Sequence, residues 1–233
     1  MDSPLSPWRP ALRQILTPSL LALLLTACNA PETSMTQTQS PATEAAAEAD
    51  VEAGGRGLAK LNPNPRKAYE LTLTLDEAPG AFGLVQGAAQ YDVSNEAECG
   101  KIQPETGTAG RITSQEDFAL KKISDTEYRG TVYLDLMQDE DYYGRGVCHW
   151  EFSGASVLLK ATGAEEETRF LSFIEGKTVT AQQPQTKHYW KKGYPRSESE
   201  SFPDTGELSP DKFKPEIRDN LFTITLAAKE VAP

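Results

Sequence analysis

The amino-acid sequence predicts an all-β protein whose folded part, residues 66–230, is a single antiparallel β-sandwich or open barrel. Short segments alternate apolar and polar residues with a period of two, polar turns separate them, and no long amphipathic helix is evident. About eight such strands in succession are typical of sandwiches and barrels. The pattern does not decide between these two architectures.

The clearest strand is YELTLTL, in which every second residue from Tyr69 to Leu75 is apolar. FALKKI and YRGTVYLDL flank the polar SDTE, and this arrangement predicts a hairpin. One short helical turn is expected near residues 209–219, because Ser209 followed by Pro210 is typical of a helix start. The other predicted strands are GLVQGAAQYDV, VCHWEF, SVLLKAT, RFLSFI and LFTITLAAK.

Residues 1–27 have the features of a secretory signal peptide. Arg9 and Arg13 precede an apolar stretch at residues 15–25, and small residues follow that stretch. The stretch is too short to span a bilayer as a helix, because a spanning helix needs about 20 apolar residues. From these features alone, a plain signal peptide and a buried apolar helix remain open alternatives to a lipoprotein signal.

The end of this segment, LTAC at residues 25–28, resembles the lipobox of bacterial lipoproteins. The resemblance implies that cleavage falls before Cys28 and that the Cys28 sulfur receives a diacylglycerol. Acyl chains, at about 0.8 kcal/mol per buried methylene, would hold the protein on a membrane. Asn29 and Ala30 follow the cysteine, and by the same resemblance the lack of Asp there implies the outer membrane. We therefore expect an outer-membrane lipid anchor with the folded domain in the periplasm.

Residues 28–65 comprise the lipid-bearing cysteine and a linker that we expect to be disordered. The linker is rich in Ala, Thr, Glu, Ser and Pro and has few large apolar residues. It therefore cannot bury enough surface to offset the entropy of ordering. A flexible chain of this length reaches about 35 Å. The short Ala/Glu run at residues 44–50 is expected to be transiently helical at most.

The charge of the chain limits its partners. It carries 23 basic and 34 acidic residues, a net charge of −11 at pH 7. So acidic a chain argues against nucleic acid and against adhesion to anionic lipid head groups. A basic protein partner is compatible with this charge, and solubility is the alternative explanation for it.

Two further cysteines, Cys99 and Cys148, are expected to form a disulfide. If Cys28 carries the lipid, as the resemblance implies, these two remain as an even pair in an oxidising compartment. A metal or redox pair is the alternative, but it lacks the close cysteine spacing that such sites use.

No motif predicts an enzyme. The two histidines are His149 and His188, and the period of VCHWEF turns His149 and Glu151 outward together. Two neighbouring ligands do not form a zinc site, which needs three or four. FSGAS lacks the context of a nucleophile elbow and YYGRGV that of a phosphate loop. We predict no catalytic residue, no metal site and no cofactor.

The acidic stretch DLMQDEDYYGRG is an alternative metal candidate. It contains Asp135, Asp139, Glu140 and Asp141, and this density of oxygen ligands could hold calcium. The spacing does not match an EF-hand loop, so we expect a solvated turn.

The segment at residues 182–216 shows no obvious strand and is the predicted partner-binding region. Long loops within a compact domain are uncommon and often functional. Aromatic and basic residues dominate binding hot spots, and this segment is rich in both. The alternative is that its rings cover a sheet face or edge. The residues predicted to bind a partner are Tyr189, Trp190, Tyr194 and Arg196.

The whole chain is similar to the small outer-membrane and periplasmic lipoproteins of Gram-negative bacteria. The segments EDYYGRGVCHWEF and DKFKPEIRDNLFTITL carry this resemblance, together with the lipobox. It implies a lipid-anchored periplasmic binding module. One role within this class is that of an immunity protein that neutralises a secreted antibacterial toxin, such as a phospholipase. The competing expectation is a structural or assembly protein of the envelope, and an enzyme comes third.

Overall fold

The computed structural model describes residues 41–198 and 202–233. In this part of the chain, nine strands form two antiparallel sheets that pack face to face. The fold is therefore a β-sandwich, which confirms the predicted class and decides against a closed barrel. The strands are β1 (Ala68–Asp76), β2 (Leu84–Val93), β3 (Thr113–Phe118), β4 (Lys121–Lys122), β5 (Glu127–Tyr133), β6 (Trp150–Lys160), β7 (Phe170–Glu175), β8 (Gln185–Trp190) and β9 (Leu221–Glu230).

The first sheet has the strand order β4-β5-β1-β9-β8 and the second has the order β3-β2-β6-β7. Short helices lie in the connections and before β1. These are α1 (Pro41–Glu52), α2 (Glu96–Cys99) and α3 (Gly176–Thr180), with 3-10 turns at Lys191–Gly193, Pro210–Lys212 and Pro215–Asn220. The last two turns occupy the region near 209–219 where one helical turn was predicted.

The core forms where the alternating apolar faces of the two sheets meet. Leu71 and Leu73 of β1 and Ile224 and Leu226 of β9 are completely buried, as the period of two in their sequences predicts. Across the interface, the second sheet contributes side chains that are equally buried, among them Tyr91, Val157, Leu159, Phe170 and Ile174. Strand alternation in the central strands is therefore sufficient to define the core.

Several strand boundaries differ from the sequence prediction. FALKKI is not one strand, because Phe118 ends β3 in the second sheet whereas Lys121 begins β4 in the first. VCHWEF and SVLLKAT contribute to one strand, β6, whose register with β2 shifts opposite Gln90 and Tyr91. Gly154 lies at this irregularity, where an added Cβ would come 2.4 Å from the carbonyl oxygen of Ile174.

The N-terminal part of the described chain is more ordered than the predicted tether. Residues 41–52 form α1, and the chain after it contacts the sandwich. The Asn62 N–H donates to the Leu136 carbonyl at 2.7 Å, and the Gln138 N–H donates to the Lys60 carbonyl at 2.9 Å. The last part of the segment 28–65 thus pairs with residues 136–138. Residues 28–40 lie outside the described chain.

Two buried tyrosines connect the sheets by hydrogen bonds. The Tyr91 hydroxyl in the second sheet donates to the Tyr133 carbonyl in the first at 2.6 Å. In the opposite direction, the Tyr189 hydroxyl in the first sheet donates to the Leu171 carbonyl in the second at 3.0 Å. Each bond satisfies a backbone acceptor and fixes the position of one sheet over the other.

The predicted disulfide between Cys99 and Cys148 is present, with the two Cα atoms 5.2 Å apart. Both cysteines are completely buried and belong to a second, smaller apolar cluster with Val93 and Tyr142. The bond joins α2 to the chain before β6. It therefore closes the end of the sandwich at which β2 finishes.

In residues 41–198 and 202–233 no helix has the length and apolar character needed to cross a membrane.

Reduction of the disulfide is expected to lower the free energy of unfolding by about 4 kcal/mol, because the bond constrains a loop of 49 residues in the unfolded chain. Urea unfolding of the Cys28→Ser chain with and without reductant measures this difference. The double variant Cys99→Ala/Cys148→Ala is the control, since its stability should not respond to reductant. Equal stability of the oxidised and reduced forms would contradict the expectation.

Candidate functional site

Cys28, the predicted lipidation site, lies outside the described residues, as does the signal segment 1–27. The four residues predicted to bind a partner lie in the described part of the segment 182–216. They do not form one surface, and their positions follow from how β8 and the loop after it pack.

Tyr189 belongs to the core and not to the surface. It lies on β8, a strand that the sequence analysis missed, and its side chain is completely buried. Its ring stacks on Phe222 at a centroid distance of 5.3 Å and meets Phe170 edge-on at 5.9 Å. The structure therefore removes Tyr189 from the set predicted to bind a partner, because no part of its ring is available.

A strap at residues 204–207 covers Tyr189. At Gly206 the backbone has φ +61, and an added Cβ would come 2.6 Å from the Tyr189 ring. The strap joins both sheets, because Asp204 bridges to Phe170 on β7 and Glu207 bridges to His188 on β8. The Glu207 N–H donates to the His188 carbonyl at 3.0 Å and the His188 N–H to the Glu207 carbonyl at 2.8 Å.

Tyr194 is partly buried and has a structural role. Its hydroxyl donates to the Ala81 carbonyl at 2.6 Å, and its ring lies edge-on to Phe82 at 5.4 Å. Thr168 fixes the same loop, because its hydroxyl donates to the Gly193 carbonyl at 2.6 Å and accepts from the Ser197 N–H at 2.8 Å. The loop after β8 is therefore held in place by Tyr194 and Thr168.

Trp190 is partly exposed, as Tyr194 is, and Arg196 is exposed. Trp190 alternates with Tyr189, so it lies on the outer face of the first sheet, where it is partly exposed. The ammonium of Lys192 lies 5.9 Å from the centre of the Trp190 ring, within the range of a cation–π contact. Arg196 is exposed further along the same loop. We refer to Trp190, Lys192 and Arg196 together as the β8 patch. Trp190 and Lys192 are in contact, whereas Arg196 lines a neighbouring groove with Glu165, Glu166 and Glu167.

The carboxylates of the acidic stretch organise the backbone around them. Asp135 accepts hydrogen bonds from the N–H groups of Arg66 and Lys67, each at 2.9 Å. Glu140 forms an ion pair with Lys60 at 2.7 Å. These contacts attach the chain before β1 to the acidic stretch.

Asp139 and Asp141 have different partners from Asp135 and Glu140. Asp139 accepts the Trp150 N–H at 2.9 Å, and its other oxygen lies 2.8 Å from Nδ1 of the exposed His149. Asp141 accepts the Arg145 N–H at 3.0 Å. Within residues 41–198 and 202–233, no group of three or more His, Cys, Asp or Glu side chains is arranged to hold a metal ion.

His149 and Asp139 resemble the base and orienting carboxylate of a hydrolase, but the third member of such a set is not beside them. Ser94 donates to the His149 main-chain carbonyl at 3.3 Å and not to the ring. In the described part of the chain, no serine hydroxyl is hydrogen-bonded to either histidine ring. The pair is exposed and serves to connect the acidic stretch with the start of β6.

Comparison of the chain with protein-family models, with curated proteins and with solved structures finds no match.

Alkaline pH is expected to destabilise the sandwich through its two inter-sheet tyrosines. Burial raises the pKa of Tyr91 and of Tyr189 well above the ordinary value, and nearby carboxylates act in the same direction. Above about pH 10 the unfolded chain releases these protons while the folded chain keeps them, so stability falls by about 1.4 kcal/mol per pH unit for each tyrosine.

Urea unfolding between pH 8 and pH 11, in roughly half-unit steps, measures this slope. The variant Tyr189→Phe should be less stable at neutral pH by about 1 kcal/mol, because it loses one hydrogen bond, and its alkaline slope should be smaller. Tyr133→Phe is the matched control, because its ring lies on the outer face of β5. A slope that is the same in all three proteins would contradict this account.

Proposed function

We propose that this protein is a lipid-anchored binding module of the periplasm, held on the outer membrane through Cys28. The observation that carries the proposal is the LTAC sequence at residues 25–28, placed ahead of a folded β-sandwich that follows a polar linker. A domain tethered in this way meets partners at the membrane surface, where its local concentration is high. Its partner is a protein.

The β8 patch is the contact surface in this proposal. Tryptophan and arginine are the residue types that most often dominate binding energy. Trp190 ends β8, and Arg196 lies on the following loop, which Tyr194 and Thr168 hold in place. A preorganised loop loses little entropy when it binds. Beside Trp190 the patch carries the cation Lys192, on a chain whose net charge is −11.

Within this class, the role that we propose is immunity. The protein would bind a toxin delivered into the periplasm and block it before it damages the envelope. A binding module without an activity of its own suits this role, as does a tether that places the domain at the site of attack. The competing role is assembly or support of an envelope complex, and the two roles differ in when the cell needs the protein.

Lipidation is expected to depend on Cys28 alone. In cells fed radiolabelled palmitate, the natural chain should carry label and fractionate with the outer membrane. The variant Cys28→Ser should carry no label and should keep residues 1–27, because cleavage follows lipidation. The Cys99→Ala/Cys148→Ala variant is the control and should be labelled. Mass spectrometry that finds a free thiol at Cys28, or an N-terminus upstream of it, would contradict the anchor.

Loss of the protein is expected to harm cells only beside toxin-delivering neighbours. The natural chain should restore the survival of the cells that lack the protein, whereas the variant Trp190→Ala/Arg196→Ala should not. The loss of two hot-spot residues at about 2 kcal/mol each weakens binding to the toxin roughly a thousandfold. Ile123→Ala, an exposed apolar position after the short β4, is the control and should restore survival. A defective envelope in monoculture would instead support the assembly role and contradict immunity.

A further inference from the structure

A second region of the molecule has the properties of a small-ligand site. A cleft of about 390 Å³ opens between α1 and the end of the sandwich that carries the disulfide. This volume lies within the range of ligand pockets, which are concave and mostly apolar. The side chains that form its apolar wall are Val51, Leu58, Ile112, Tyr142, Tyr143 and Trp150.

The floor of the cleft is fixed before any ligand arrives. Tyr142 belongs to the buried cluster that contains the Cys99–Cys148 disulfide, and Leu58, Ile112 and Trp150 pack against this cluster. The Tyr142 ring lies edge-on to Trp150 at 6.5 Å, and its hydroxyl donates to the Gln138 carbonyl. A rigid apolar floor of this kind does not have to be ordered by a ligand, and binding therefore costs less.

The cover of the cleft is held much less firmly than its floor. Of the α1 side chains that the structure describes, only Ala47 is partly buried, and Val51 is 57% exposed. A helix of this length is marginal in water without packing. The turn after it contains Gly54 and Gly57, which have φ values of +85 and +62. α1 therefore lies over the cleft as a cover that fills it incompletely.

An ion pair closes the mouth of the cleft. The carboxylate of Glu48 on α1 lies 2.6 Å from the ammonium of Lys101, and both side chains are largely exposed. Two further cations line the cleft, Arg111 and Arg56, and they pair with Asp92 and Glu116; Glu52 is the second carboxylate of the lining. Water screens an exposed pair such as Glu48–Lys101, so another anion can take the place of the Glu48 carboxylate at little cost.

We propose that this cleft binds one acyl chain of an anionic amphiphile. The chain lies along Leu58, Ile112 and Trp150, and the anionic head replaces the Glu48 carboxylate beside Lys101. The apolar wall and the cation at its mouth carry the inference of an apolar tail with a negative head. The choice of an acyl chain over other apolar groups rests on the proposed function, which places the cleft near a membrane surface.

Dodecanoate, titrated below its micelle concentration into the Cys28→Ser chain without residues 1–27, tests the proposal. In a Trp190→Phe background, Trp150 is the remaining tryptophan of this chain, so its emission reports on the cleft. We expect saturable binding of one molecule. The Cys28→Ser chain used in the titration carries no lipid of its own, so the result is independent of whether Cys28 is acylated in cells. The proposed cleft ligand and the proposed lipid anchor can therefore fail separately.

Paired variants locate the site. Ala47→Phe places a ring in the cleft and should weaken dodecanoate binding at least about tenfold, whereas Ala46→Phe on the exposed side of α1 should leave it unchanged. Lys101→Ala should reduce dodecanoate affinity to that of dodecanol. Lysophosphatidylglycerol with a twelve-carbon acyl chain is the second probe. If it binds more tightly than dodecanoate, the preferred head group is a phosphodiester; if it binds less tightly, the preferred head group is a carboxylate.

Three results would overturn the proposal. One is the absence of saturable binding for both amphiphiles. Another is equal weakening by Ala46→Phe and Ala47→Phe, which would place the ligand outside the cleft. The third is that dodecanol binds as tightly as dodecanoate to the chain that retains Lys101. This result would show that the cleft does not recognise an anionic head group.

Discussion

The aromatic cluster at one end of the core connects the two sheets. Phe170 comes from β7 in the second sheet, Tyr189 and Phe222 come from β8 and β9 in the first, and Phe82 enters from the chain before β2. Phe170 lies 5.3 Å from Phe222 and 5.8 Å from Phe82, so each ring touches others across the interface. Offset and edge-on rings gain energy beyond the area they bury. The path of the chain from residue 182 to residue 216 follows from this cluster.

The segment at residues 182–216 contains inward-pointing residues and surface residues. Tyr189 and Tyr194 direct their rings inward and stabilise the cluster, while Trp190, Lys192 and Arg196 remain available at the surface. The inward residues make the loop rigid, and rigidity is what a binding surface needs if its few exposed side chains are to contribute fully. The same division occurs at the opposite end, where the disulfide cluster stabilises the floor of the cleft and α1 only covers it.

The central strands could be predicted from the sequence because they are buried on one face along their whole length. The alternation in β1 and β9 is clean, and their core residues followed directly. Of the edge strands, β7 follows from the alternation in RFLSFI, whereas β3 and β8 could not be predicted in this way. In β8 the inward positions before Tyr189 are Gln185 and Lys187, and β3 places Ser114 and Glu116 inward, so the apolar period is absent. Alternation also cannot show where a chain leaves one sheet for the other, so it predicts one strand for FALKKI where the chain passes from β3 to β4. Among the residues predicted to bind a partner, composition does not separate Trp190 and Arg196 from Tyr189, whereas packing shows that Tyr189 is buried.

The way the edges of the sandwich are finished bears on whether copies of the domain can join through their strands. Unpaired strand edges recruit further strands. Here the strap at 204–207 blocks β7 and β8, β4 is two lysines long, and Glu116 of β3 is paired with Arg56. Lys187 points inward on the edge strand β8, and its ammonium donates to the Thr205 carbonyl in the strap at 2.8 Å. The edges of the sandwich therefore resist edge-to-edge aggregation.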